Sequence, residues 1–173
     1  PRKLIRIVIS GGPYEKYNEL VIRGTLEEDP EQEAIASILD KLYDQLSKPT
    51  GIMGRLRFAF RLFPKSAVQG LYIWGGVGRG KTMLMDMFCE CLPEDQRLRF
   101  HFHRFMQRVH DDLRINSGAT NPLDAVAEGL SLESKILCFD EFYVSDIGDA
   151  MILSELLAAL FSRGVTLVAT SNV

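Results

Sequence analysis

Eight consecutive residues constrain this chain more than any others. Gly75-Gly76-Val77-Gly78-Arg79-Gly80-Lys81-Thr82 matches the pattern G-x-x-x-x-G-K-[ST] at every fixed position. The residues before it, Leu71-Tyr72-Ile73-Trp74, form an apolar β-prone run, and Met83 to Phe88 after it are helix formers. Strand, glycine loop and helix N-terminus together aim backbone N–H groups at anionic oxygens. The ligand such a cradle suits is a nucleoside triphosphate. The loop glycines allow conformations closed to other residues and leave room for phosphates. Lys81 would set its ammonium against the β- and γ-phosphates, and the Thr82 hydroxyl would ligate Mg²⁺. Main-chain contacts are expected from Gly75, Gly76, Val77, Gly78, Arg79, Gly80, Lys81, Thr82 and Met83. The competing reading, a glycine-rich turn with a chance lysine, does not explain the flanking strand and helix.

A second motif strengthens the first. Ile136-Leu137-Cys138-Phe139 is a continuous apolar run of the kind found in a parallel strand covered on both faces, and it ends abruptly in Asp140-Glu141. At the carboxyl edge of an open α/β sheet, where ligands bind, Asp140 would hold the Mg²⁺ shell and Glu141 would orient and deprotonate an attacking water. Taken alone, two acids after an apolar strand also describe a solvated turn. A third run, Val165 to Thr170, reads as another buried strand leading into Ser171-Asn172. Asn172 at its tip would hydrogen-bond the nucleophilic water or the γ-phosphate, although Ser-Asn after a strand is also ordinary turn chemistry.

These elements look like the core of an AAA+ ATPase, and the residues between them narrow the match. Gly70-Leu71-Tyr72-Ile73-Trp74 with the glycine loop and Met83-Leu84-Met85-Asp86, then His101-Phe102-His103-Arg104-Phe105-Met106, then Leu137 to Phe142 with Val144-Ser145-Asp146-Ile147, then Val168-Ala169-Thr170-Ser171-Asn172, resemble the ZapE family, with its mitochondrial Afg-type relatives. The resemblance runs from about Tyr14 to Val173 and is most specific from Gly70 onward. It implies an ATP- and Mg²⁺-dependent ATPase that remodels a protein partner. In the bacterial branch, which the Gly-Gly-Val-Gly-Arg-Gly and Val-Ser-Asp-Ile wording favours, that partner is the tubulin-like polymer FtsZ and the location cytoplasmic. In the Afg-type branch the clients are respiratory-chain subunits and the location is the mitochondrial matrix or inner-membrane face. A homo-oligomer is implied for the intact protein in both.

The expected fold is α/β: a three-layer P-loop NTPase of the AAA+ type with a parallel sheet, strand order 2-3-4-1, and without the family's fifth strand and helical lid. Residues 1–66 are expected to be an N-terminal segment with an amphipathic helix and a basic connector, and 67–173 the ATPase core. The chain stops just after Asn172, ahead of where the family continues into an arginine finger. Such an arginine is worth about 10³ to 10⁵ in rate, so turnover by this chain alone is expected to be weak, and an uncovered sheet edge would be an aggregation liability.

Composition bounds the rest. At 173 residues the length suits one domain, and 46% apolar residues suit an ordinary globule. A net charge of −3 argues against a general nucleic-acid binder while leaving room for a local basic strip. Cys89, Cys91 and Cys138 are odd in number and lack Cys-x-x-Cys spacing, which suits a reducing compartment rather than a zinc or disulfide framework. No run approaches the roughly 20 apolar residues of a membrane span. The chain opens on Pro1 rather than Met, so a leader or further residues can precede it.

Along the chain, residues 4–9 suggest a short strand. Asp29-Pro30-Glu31-Gln32 reads as a helix start, Asp29 as N-cap and Gln32 at the capping-box position, followed by an apolar stripe of Ile35, Ile38, Leu39, Leu42, Tyr43 and Leu46. In AAA+ relatives this region lines the adenine pocket, so Asp29 and Gln32 are also candidate base contacts. Arg55, Arg57 and Arg61 interleave with Phe58, Phe60 and Phe63, which suits either a partner-binding segment or a plain connector. Residues 97–102 alternate as a strand and a helix is expected from about Arg104. A strand would put His101 and His103 on one face, but with His110 nearby no third metal ligand is set by spacing, and structural roles are favoured. Asn121-Pro122 opens another helix. A long, largely buried one is expected over 145–162, capped by Ser145, with Ile147, Met151, Leu156 and Leu160 inward and Gly164 ending it.

Three functions fit: an ATPase remodeller, a nucleotide-gated binding module that needs no turnover, and a helicase-loader-like ATPase acting at DNA. GTP specificity is disfavoured because no Asn-Lys-x-Asp signature is present.

Overall fold

The structure, a computed structural model, describes residues 11–47 and 68–172. The expected strand over 4–9 and the arginine and phenylalanine residues of 55–63 lie outside the described residues.

Two helices come first, α1 (Pro13–Ile22) and α2 (Pro30–Ser47). Strand β1 (Leu71–Gly75) leads through the glycine loop into α3 (Lys81–Cys91). A 3₁₀ turn then precedes β2 (Arg97–His101), α4 (Phe102–Ile115), α5 (Pro122–Glu133), β3 (Ile136–Asp140), α6 (Ile147–Ser162) and β4 (Thr166–Asn172). The four strands are parallel in the order β1-β4-β3-β2, the expected 2-3-4-1 arrangement. Helices between successive parallel strands must cross over the sheet, and here they cover both faces.

Alternation along the strands divides the core in two. Ile73, Ile136, Cys138 and Val168 join Tyr17, Leu39, Leu84, Met85 and Phe88 beneath α1, α2 and α3. Leu137, Phe139 and Ala169 join Phe105, Val109, Leu130, Leu156 and Leu160 beneath α4, α5 and α6. β3 is buried at all five residues, which explains why its sequence is apolar without alternation. Each fully buried Phe or Leu in these layers contributes on the order of 1.5–3 kcal/mol.

Four local expectations are corrected. α4 starts at Phe102 rather than near Arg104, because the Phe102 ring is buried against Phe139 and Phe142, at 5.9 and 4.8 Å, as soon as the strand ends. His103 is therefore helical, not on a strand face with His101. The cap of α6 is Asp146, whose carboxylate accepts from the Asp149 N–H at 3.1 Å, not Ser145. Its burial is also less than expected. Ile147 is 80% and Met151 66% exposed, and only Leu153, Leu156 and Leu160 are buried. A 16-residue helix is about 24 Å long against roughly 17 Å for a five-residue strand, so its first turns overhang the sheet. Because Gly164, at φ 82°, turns the other end directly into β4, that overhang falls at the carboxyl edge of the strands. In α2 the expected stripe holds except at its margin, where Ile38 is 46% exposed. No helix among the described residues is long and apolar enough to cross a membrane.

Candidate functional site

The glycine loop joins the carboxyl end of β1 to the N-terminus of α3. Gly80 occupies the N-cap in the left-handed region, φ 78°, where an L-residue is strained, and no side chain caps the helix. The first-turn N–H groups of α3 are thus left to a ligand, reinforced by the partial positive charge of the helix end. Val77 and Arg79 at the loop crest are exposed. Lys81 is not. It is 8% exposed and folds back, its Nζ donating to the Gly75 and Gly76 carbonyls at 2.9 and 2.7 Å. An ammonium carries three N–H donors, so the loop's own carbonyls hold the charge over the cradle while one donor stays available.

Strand order decides what faces this loop. β4 lies between β1 and β3, which places Asn172 opposite Gly75 in the β1–β4 register and brings Asp140 to the same carboxyl edge two strands, roughly 10 Å, away. Asp140 is 6% exposed. Its Oδ2 accepts from Arg99 Nε at 2.7 Å, while Oδ1 is buried without a partner. Buried carboxylate oxygens are rarely left so, and a cation shell together with the exposed Thr82 hydroxyl fits the vacant acceptor. Arg99 also pairs with Asp86 of α3. Burial opposes the Arg99 charge, but hydrogen bonds to Asp140 and Asp86 outweigh it and hold the guanidinium above its ordinary value.

Glu141 is exposed and has φ 54°, the one non-glycine among the described residues with positive φ. Pairing resumes past it, where the Phe142 N–H donates to the Thr170 carbonyl at 2.7 Å. One residue is therefore bulged out of the β3–β4 ladder, which turns its side chain off the strand's alternation. Left-handed non-glycine residues concentrate at functional positions.

Next to the loop lies a cleft of about 760 Å³, lined by residues 25–32 and Arg79. Glu27, Glu28, Asp29 and Glu31 make it acidic, a lining that disfavours phosphates. Asp29 is a cap as expected, its Oδ1 accepting from the Glu31 and Gln32 N–H groups at 2.8 and 3.3 Å. Gln32 does not close a capping box, since the Asp29 N–H donates to the Tyr17 hydroxyl instead. The Gln32 amide reaches across to the Arg79 carbonyl at 3.4 Å, and its Oε1 is buried and unpartnered.

The histidines do not converge. The rings of His101 and His103 stack 6.1 Å apart, and His110 Nε2 lies 2.7 Å from Asp149 Oδ1. Among the described residues no group of three or more His, Cys, Asp or Glu could hold a metal. Cys89 and Cys138 are buried and free. Their mutual hydrogen bond lowers the Cys89 thiol and, with burial, pushes Cys138 well up.

Residue-level reasoning missed Arg99, Asp86 and the reach of Gln32 to the loop. The available signal for Arg99 was the β2 alternation itself. Leu98 and Phe100 pack beneath α4 to α6, so Arg97 and Arg99 must point at the opposite, buried face rather than at solvent.

A glycine loop feeding a helix from a parallel strand, with an acidic strand end two strands away on the same sheet edge, defines a P-loop fold of the AAA+ type. Comparison with solved structures agrees: AMPPCP-bound DnaA from Aquifex aeolicus superposes with a TM-score of 0.56 at 12% identity, over 86% of this chain and 40% of that one. The AFG1-like ATPase family model matches residues 12–173, and the chain belongs to that family. It is 45% identical to the cell division protein ZapE of Escherichia coli K12, over 93% of this chain and 46% of that protein. It is 33% identical to the protein C115.02c of Schizosaccharomyces pombe, over 92% and 42%. The chain spans about half the length of the curated relatives it matches.

Proposed function

We propose that this chain binds ATP with Mg²⁺ and hydrolyses it, and that in the intact protein the cycle remodels a protein partner. The observation that carries this reading is the convergence at one sheet edge of an uncapped helix N-terminus, a buried lysine held over it, and a buried carboxylate with an orphaned oxygen. The main-chain N–H groups from Gly75 to Met83 take the phosphate tail. Lys81 leaves the loop carbonyls for the β- and γ-phosphates. Thr82 and Asp140 hold the metal, which when bound screens the phosphate charge. Glu141, turned out by its bulge, orients and deprotonates the attacking water, and Asn172 contacts that water or the γ-phosphate from the tip of β4. The acidic cleft takes the base, with the buried Gln32 Oε1 positioned to accept from a purine amino group.

The name of the Escherichia coli relative supports a role in cell division; FtsZ as the client, a cytoplasmic location and a homo-oligomeric assembly are proposed on the family resemblance alone. Two substitutions in the full-length protein test the reading. Lys81→Ala abolishes binding of a fluorescent ATP analogue. Glu141→Gln keeps binding, loses phosphate release, and no longer reduces the FtsZ polymer recovered by sedimentation in the presence of ATP. Retained polymer loss with Glu141→Gln would favour a nucleotide-gated binding module instead. Salt-sensitive capture of single-stranded DNA would favour a helicase-loader role.

A further inference from the structure

We propose that Arg99 is a positioning residue for the metal-nucleotide complex: braced by Asp86, it occupies Oδ2 of Asp140 and so presents Oδ1 alone to the metal. The inference rests on the reading of Asp140 as a metal-holding group.

Register puts the three side chains together. Arg99 lies opposite Cys138 in the β2–β3 ladder, and Asp140 follows Cys138 by two, so all three share the sheet face that carries α3. Asp86 follows Thr82 by four residues on α3, hence on the same side of that helix and one turn deeper. Arg99 thus bridges a carboxylate one helical turn from Thr82 and the carboxylate at the end of β3. Arg99 keeps its charge whatever the state of the site, and its planar fork allows one guanidinium to hold two acids in fixed relation.

A clamp serving only the fold would be expected to satisfy both oxygens of a buried carboxylate. Here one oxygen is held tightly and the other is left buried without a partner. That asymmetry is what a monodentate contact to a small, strictly octahedral cation requires, since Mg²⁺ tolerates little error in ligand placement. Without the guanidinium the carboxylate would be free to rotate and to offer either oxygen.

The test is a Mg²⁺ titration of nucleotide affinity, starting from EDTA, with a fluorescent ATP analogue as the probe. In the wild-type chain Mg²⁺ is expected to tighten binding. In Arg99→Met the Mg²⁺ needed for half the effect rises about ten- to hundredfold, the usual consequence of removing a group that orients a metal ligand, while affinity in EDTA is unchanged. Asp86→Asn, at a half-exposed residue, shifts the same midpoint severalfold. It keeps the proposal testable should Arg99→Met leave the buried carboxylate too poorly compensated to fold. Arg99→Lys lies between, because it restores charge without the fork. A Mg²⁺ midpoint that is unchanged or lowered in folded Asp86→Asn and Arg99→Lys would overturn the positioning role and leave the nucleotide reading standing. A wild-type chain with no saturable nucleotide binding would overturn both.

Discussion

Glu141 offers a test that separates backbone strain from chemistry. With φ at 54° it sits where an L-residue costs about 1–2 kcal/mol, and the Phe142–Thr170 hydrogen bond just beyond fixes the bulge in place. Replacing Glu141 by Gly removes that strain but adds about 0.4–1 kcal/mol of unfolded-state entropy to be lost on folding. The difference is a net gain of about 0.5–1 kcal/mol. Glu141→Ala keeps the strain and removes the same exposed carboxylate, so its stability stays within about 0.5 kcal/mol of wild type. The Gly-minus-Ala difference therefore isolates the backbone. Urea unfolding followed by circular dichroism measures it, provided the denaturant slopes agree. In a thermal scan about 1 kcal/mol corresponds to about 2–4 °C for a chain of this size. Equal stability of the Gly and Ala variants, or a less stable Gly variant, would refute the claim that the fold holds this residue under strain. Both variants should also lack ATP hydrolysis, so a more stable protein would be a less active one.

Two further outcomes follow from the loop and the last helix. Gly80→Ala places a Cβ at φ 78°, 2.9 Å from Gln32 Nε2, and should cost about 1–2 kcal/mol in denaturant unfolding. Adding Gln32→Ala relieves only the contact, not the strain, so full recovery in the double variant would show that the dihedral angle is not the cause. Asp146→Ala should cost about 1 kcal/mol through loss of the α6 cap, while Ser145→Ala leaves stability within about 0.5 kcal/mol. The opposite ranking would restore Ser145 as the cap.

Much of the site was legible because its signals are local. A glycine at a left-handed N-cap, a lysine and threonine in the first turn, and two acids closing an apolar strand are each set by a few residues' backbone preferences. The strand order, by contrast, came from the likeness to AAA+ ATPases and not from any local signal, since local preferences do not say which strands pair. The misreadings arose where a distant partner outcompeted a local preference. Gln32 gave up a capping box four residues wide for a carbonyl 47 residues away. α4 began early because the Phe102 ring was needed in a cluster with Phe139 and Phe142.

The amino-acid order by itself determined the class of fold, the glycine loop at a helix N-terminus and the acidic strand end, because glycine conformation, helix ends and apolar runs act over short stretches of chain. Only the tertiary structure decided that Arg99, 41 residues from Asp140, claims one of its oxygens, that α6 overhangs the strands, and that Glu141 is bulged out of the ladder. Those outcomes depend on register between strands far apart in the chain and on the competition for buried hydrogen-bond partners, which no single segment carries.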